Sequence, residues 1–434
     1  MKPEIDLKEH WPIAPQKVTE FQGPGKNPFK DGHNIEWVID NKYFLHSYPP
    51  DQLASKQKEH YLLTILKALG VPVLQPINDK LVQGKKRLYE LVDYIPQDQT
   101  SESSYRDLSI AQAGELADVL NKVSKVKSSS FDDQFFFPFS SIKENIAFAK
   151  HLIKSRNSEI QMSLQKAETC LQKRLFPFLP YCEPCFCHGD LHPANILWQK
   201  EKIRAMIDWE IAHYKEELYD LAFVLSCIGM DNPENLKSPA VRVLIVTYFK
   251  NSKRSKLAFA LLPEILLATR IQWLAVWLAG ADDFAVALQE TAYWNWLWEN
   301  MDDLRRLWHS WLDLDFKYSA ARWVVQDQGQ KTELDKAKQK LSGLDLFGGN
   351  LLWEVFQPVE EFTTNLRFLA IDAGSNDDVV KLIQVLELQK KLLNAFPEND
   401  HIKIERSITL GNALLDFSKF RMLRAAQHIA KECE

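Results

Sequence analysis

Hydrophobic and polar positions alternate through the first part of the chain. Asn34–Ile39 and Lys42–Tyr48 are rich in β-branched and aromatic residues, so both read as strands, with Asp40-Asn41 as a hairpin turn between them. The period then lengthens. Leu62, Ile65, Leu66 and Leu69 recur three or four apart and predict a helix from a cap at Asp51 to Gly70. Val71–Leu74 reads as a short extended entry, and Lys80–Gln83 and Arg87–Ile95 flank Gly84 as a second hairpin. Pro96–Ser104 is polar and turn-rich and predicts a hinge or boundary. Helical spacing takes over in residues 105–126 and 140–176, interrupted by Ser128–Ser130 and the aromatic run Phe135–Phe139. A β-like stretch at 185–187 leads to Ile196–Trp198 and Ile203–Ile207, which flank Lys200–Lys202 as a small hairpin. Helices continue to about residue 325 and include a tryptophan-rich pair at 264–280 and 288–312. A charged stretch, 327–342, and glycines at 343, 348 and 349 predict a linker before a helical tail.

Composition narrows the classes. At 434 residues and 46% hydrophobic, the chain can bury a large core in two or three domains. Lys+Arg 53 against Asp+Glu 58 leaves a net charge of -5, which argues against nucleic acid as a partner. No apolar run approaches the roughly 18 to 20 residues needed to span a bilayer, and Met1–Lys8 lacks the apolar centre of a signal peptide. Six cysteines in so long a chain make no disulfide framework. A soluble, cytoplasmic protein with no membrane partner is expected.

The densest chemistry lies in Cys185–Leu197, which holds two cysteines, two histidines, Asp190 and Asn195. A metal cluster built on Cys182, Cys185, Cys187 and His188 is one reading. Structural zinc sites usually draw ligand pairs from separated segments, however. Strand alternation also puts Cys185 and Cys187 on one face, as small core residues do. The other reading is a phosphoryl-transfer loop. Kinases use His-Arg-Asp-Leu-x-x-x-Asn, in which Asp handles the acceptor hydroxyl and Asn holds Mg2+. His188-Gly-Asp190-Leu-His-Pro-Ala-Asn195 keeps the Asp-to-Asn interval, and Asp208 follows one hairpin later. Such chemistry needs a metal clamp on phosphates and an acceptor oxygen held in line.

Three ordered motifs, His188–Asn195, Asp208-Trp-Glu210 and Tyr219-Asp-Leu-Ala-Phe223, resemble the aminoglycoside phosphotransferase and choline-kinase-like family. The looser pattern extends the similarity over roughly residues 15–325. The resemblance implies an α+β, bilobal protein-kinase-like fold. Residues 1–95 would form a small β-rich nucleotide-binding lobe and 96–325 a larger helical lobe with catalytic loop and acceptor site. Residues 345–434 would form the extra C-terminal helical tail. It implies an ATP- and Mg2+-dependent enzyme that moves the γ-phosphoryl group to a hydroxyl of a small molecule. Asp190 would be the catalytic base, Asn195 and Asp208 the Mg2+ and cofactor-binding residues, and Asp220 a brace for the loop. His188 and His192 would fix the loop by hydrogen bonds.

The nucleotide lobe departs from the family's pattern. Glu59 takes the place of the helix glutamate, but the strand position that normally carries a phosphate-binding Lys or Arg is His46. Gly23 and Gly25 begin a phosphate-covering loop, with Pro28 in the slot of a third glycine; Gly32-His-Asn34 is an alternative turn. An alternative reading is therefore a catalytically impaired, kinase-like scaffold that binds a protein partner through residues 351–434. That tail faintly resembles a tetratricopeptide unit, with segments Val379–Leu393, Ile402–Phe417 and Lys419–Cys433. On the acceptor side, Arg270, Trp273, Trp277, Trp294, Trp296, Trp298, Trp308 and Trp311 either pack a core or, with Glu299, Asp302 and Asp303, wall a site for a cationic amine. Amino alcohols, amino acids, sugars and aminoglycosides stay open as acceptors.

Overall fold

The computed structural model describes residues 3–21, 35–96, 105, 108–127, 142–153, 158–251, 256–280, 284–312, 359–375, 378–395, 397, 400–419 and 422–433. After a short helix α1 (Leu7–His10) comes an antiparallel sheet of five strands. These are β1 (Val18–Glu20), β2 (Glu36–Ile39), β3 (Tyr43–Tyr48), β4 (Leu81–Gln83) and β5 (Leu88–Asp93). Their spatial order is β1-β2-β3-β5-β4, and helix α2 (Leu53–Ala68) is inserted between β3 and β4. Asp40 and Asn41 both have φ near 54°, the left-handed backbone that a tight hairpin turn requires. Trp37, Ile39, Leu45, Val82, Tyr89 and Leu91 bury one face of the sheet against Leu7 and Trp11. Strands β1 and β9 and helix α1 are too short to impose a period and are not predicted from the pattern alone.

Helix α2 is the bridge between the lobes. Its Leu62, Leu63 and Leu66 join the large core of the helical part, not the sheet's own cluster. The predicted cap at Asp51 does not form. Pro50–Gln52 makes a 3-10 turn, and Gln52 takes the cap position without a side-chain bond, because Pro49-Pro50 sets the backbone that enters the helix. The exit at Gly70 is as expected, with φ of 74°. Just beyond it, Met206 N donates to Pro72 O at 2.8 Å, tying this connection to the later hairpin.

The helical lobe comprises α3 (Ile110–Val123), α4 (Ile142–Ile153), α5 (Ser158–Arg174), α6 (Tyr219–Asp231), α7 (Pro239–Asn251), α8 (Lys256–Ala260), α9 (Leu262–Gly280) and α10 (Phe284–Trp311). Helix α3 begins on a capping box between Ser109 and Gln112. Between α5 and α6 lie four short strands: β6 (Pro184–Cys187), β7 (Ile196–Gln199), β8 (Lys202–Met206) and β9 (His213–Glu216). β6 pairs with β9 and β7 with β8, both antiparallel. The tail contributes α11 (Val359–Ser375), α12 (Val379–Ala395), α13 (Asp400–Lys419) and α14 (Leu423–Cys433), one helix more than the three segments picked out by periodicity. The expected bilobal α+β architecture with a helical tail is the observed one. The predicted linker, the aromatic run 135–139 and the turn of Gly23 and Gly25 lie outside the described residues. Among the described residues no helix is long and apolar enough to cross a membrane.

Candidate active site

The loop between β6 and β7 is held from four sides. His188 is buried, and its Nε2 donates to the carbonyl of Ile207 at 2.9 Å while its Nδ1 accepts from Asp190 N at 3.3 Å. Burial pushes its pKa down to about 4, so the ring is neutral and the proton sits on Nε2. Trp209 supports it from 4.4 Å between ring centres. Asp220, at the start of α6, accepts from His188 N at 2.7 Å and Gly189 N at 3.0 Å. Burial raises this carboxyl to about 6 despite those two bonds. Tyr105 Oη donates to Leu191 O at 2.9 Å. Gly189 stands where kinases carry arginine, with φ of 88°; a Cβ there would come within 2.8 Å of Ile211 O. Only glycine fits that turn.

These contacts bring the three predicted residues together. Asn195 Nδ2 donates to Asp190 O at 2.8 Å, and Asn195 O accepts from Ile207 N at 3.0 Å, next to Asp208. Asp208 has a left-handed backbone, φ 65°, which turns it off the end of β8. His192 Nε2 lies 3.7 Å from Asp190 Oδ2, and burial lowers its pKa against the opposing pull of Asp208. The donor set suits Mg2+. Asn195 has committed its amide nitrogen to the backbone and so turns its hard carbonyl oxygen elsewhere. Asp208 adds carboxylate oxygens, and Mg2+ asks for only one or two protein groups beside phosphates and water.

The thiols do not form a metal site. Cys185 and Cys187 lie with their sulfurs 3.6 Å apart in a buried strand, and Cys182 donates to Phe178 O. Burial pushes the Cys187 thiol up, the wrong direction for a thiolate ligand. Among the described residues no three His, Cys, Asp or Glu side chains converge to hold a metal.

In the five-stranded sheet, His46 lies between Glu36 on β2 and Glu90 on β5 in register. Its Nδ1 is 3.1 Å from Glu36 Oε1. Glu59 does not reach it; Lys56, three residues earlier on α2, binds Glu59 at 2.6 Å. Glu90 is held by His60 Nε2 at 2.5 Å and Tyr48 Oη at 3.4 Å. Across the helical lobe the tryptophans pack. Trp294 and Trp308 are buried, Trp273 sits edge-on to Phe223, and Trp298 is exposed; Trp277 lies outside the described side chains. Their acidic neighbours are taken by arginines: Asp302 by Arg174, Asp303 by Arg306, while Arg270 pairs with Glu290. An aromatic cage for a cationic amine is not what these residues build.

A model of the phosphotransferase enzyme family matches residues 33–249. The chain belongs to that family. No curated protein matches it significantly. Solved structures similar to this phosphotransferase include the GDP complex of an aminoglycoside 2'-phosphotransferase-IIIa variant, at 14% identity over 68% of this chain and 95% of that one, TM-score 0.49. An aminoglycoside phosphotransferase from Alicyclobacillus acidocaldarius is similar at 13% identity over 72% and 98%, TM-score 0.48. An amicoumacin kinase with AMP-PNP and Ca2+ is similar at 13% identity over 67% and 89%, TM-score 0.47. Sequence reasoning missed several of the contacts described above. Tyr105 and the His60–Glu90 pair carry no local signal, since only the folded chain brings residues 105 and 191, or 60 and 90, together. Lys56 carries no local signal either, since its burial is set by packing.

Proposed function

We propose that the chain is an ATP- and Mg2+-dependent phosphotransferase of the cytoplasm, which moves the γ-phosphoryl group to a hydroxyl of a small molecule. The observation that carries this reading is the lacing of Asp190, Asn195 and Asp208 into one unit by the bonds from Asn195 to Asp190 and from Ile207 to Asn195. Mg2+ bound by Asn195 and Asp208 would neutralise charge on the phosphates. Asp190 takes the role of holding the acceptor hydroxyl and accepting its proton. His188 stays neutral and sets the loop; Asp220 clamps the two N–H groups before Asp190. His46 and Glu59 line the nucleotide side of the cleft, and Gly23 and Gly25 are assigned to the loop over the phosphates. The acceptor is an amino alcohol, amino acid, sugar or aminoglycoside, and ADP release across a panel of such hydroxyl compounds tests it. Asp190→Ala is expected to keep its fold and its nucleotide affinity and to lose turnover by about a hundredfold or more. Full activity in that variant would sink the assignment.

A second reading, a scaffold that binds a protein partner through residues 351–434, is favoured by the bond of His46 to Glu36. Exposed Ile404, Ile408 and Leu415 on one face of α13 favour it too. Calorimetric titration with Mg·ATP separates the two: no binding at millimolar nucleotide selects the scaffold.

A further inference from the structure

We propose that Lys56, from helix α2, supplies the fixed positive charge that holds the nucleotide phosphates, in the place of the strand cation that His46 does not provide. This inference rests on the phosphotransferase reading and names a residue of the same site.

The strand position spends a ring nitrogen on a neighbouring carboxylate. His46 Nδ1 faces Glu36 on the neighbouring strand, and its ring stacks on Tyr48 at 5.9 Å between centres. The helix does better. Lys56 is 8% exposed, unusual for a lysine one turn into a helix that enters from solvent. Its ammonium binds Glu59 at 2.6 Å and lies 4.2 Å from the centre of the Tyr48 ring. An ammonium carries three donors; the Glu59 carboxylate takes one and the ring face another, which leaves one for a ligand.

The pair also feels the charges at the end of the β7–β8 hairpin. Burial pulls the Lys56 ammonium down, but the charges of Glu59 and Glu90 outweigh it, and Glu210 adds to them. Burial pushes Glu59 up, against the pull of Lys56, and Asp208 acts on it in the same upward direction. Lys56 and Glu59 thus lie within electrostatic reach of Glu210 and Asp208. The strand–helix ion pair that the family resemblance implies is present here within one helix, at positions three apart. Glu59, Glu90, Asp208 and Glu210 would repel a triphosphate; Lys56 is the charge placed to counter them. A lysine at position 56 can therefore act as the strand cation does in relatives, reaching the phosphates from the helix side.

Calorimetric titration of the full chain with Mg·AMP-PNP tests this, with thermal unfolding as a second readout. Lys56→Gln is expected to bind at least tenfold more weakly than wild type. The double variant Lys56→Gln/Glu59→Gln leaves no unpaired carboxylate on that helix face. It is expected to unfold near the wild-type temperature and still to bind at least tenfold more weakly. If either folded variant binds within twofold of wild type, Lys56 only neutralises Glu59 and the proposal is overturned while the phosphotransferase reading stands. If wild type itself fails to bind, that reading falls and takes the proposal with it.

Discussion

Asp220 shows how one residue ties stability and activity to pH in opposite ways. Its carboxylate accepts two backbone N–H groups, from His188 and Gly189, and can do so fully only when ionised. Burial sets its pKa at about 6. As pH falls through about 6 the group takes a proton, one of those N–H groups loses its acceptor, and the loop bearing Asp190 loosens. The expected outcome is an acidic limb in kcat near pH 6, which Asp220→Asn abolishes while lowering kcat throughout; a kcat–pH profile of both proteins checks it. Stability runs differently. The folded pKa of Asp220 lies above its ordinary 3.8, so its contribution is present below that value and lost as pH rises through about 6. His188 and His309 are both pushed down to about 4 by burial, below their ordinary 6.5. Their contribution is full above 6.5 and lost as pH falls toward 4, and two such groups outweigh one Asp220. The melting temperature is therefore expected to fall between pH 6.5 and 4, and a rise over that range would contradict the assignment.

At the scale of elements, the segment from Asp190 to Asp208 was legible because its constraints are local. The interval from Asp190 to Asn195, the turn at Lys200–Lys202 and the placement of Asp208 after a strand are set by neighbours in sequence. The thiols misled only in composition, since burial and pairing in β6 are tertiary facts. Helix α2 was legible as an element from Leu62, Ile65, Leu66 and Leu69, but not in its chemistry. Only packing turns Lys56 inward while Lys58 stays half-buried. The His60–Glu90 pair was invisible for the same reason, spanning thirty residues. Gly189 is the element's most exacting position. Its left-handed backbone alone costs any other residue about 1–2 kcal/mol, and a Cβ would press on Ile211 O. Gly189→Ala is expected to lower unfolding free energy by at least that amount and to cut kcat by more than its effect on nucleotide affinity. Chemical denaturation, steady-state kinetics and Mg·AMP-PNP titration measure the three quantities, and a variant with unchanged kcat would show that the loop tolerates displacement.

For the whole molecule, the tail packs as part of the enzyme. Leu366, Leu369, Ile383, Leu386, Phe417 and Ile429 belong to the same buried cluster as Leu225 and Leu266 of the helical lobe. Tyr181, three residues before β6, is nearly fully buried between the two. Its hydroxyl donates to Glu387 on α12 at 3.0 Å, and its ring lies 5.0 Å from His428 on α14 and 5.9 Å from Phe417 on α13. The tail therefore rests against the turn that leads into β6 and the Asp190 loop. A chain cut after residue 325 would expose Tyr181 and the apolar faces beneath α12 and α14. Losing a buried aromatic's packing alone removes about 3–5 kcal/mol, a large share of a typical domain's stability. The full chain is expected to unfold in a single calorimetric transition, and the truncated chain to bind a hydrophobic dye and lose its sharp transition. A truncated chain that melts within a few degrees of the full one would instead make the tail an independent module, docked beside a lobe that does not need it.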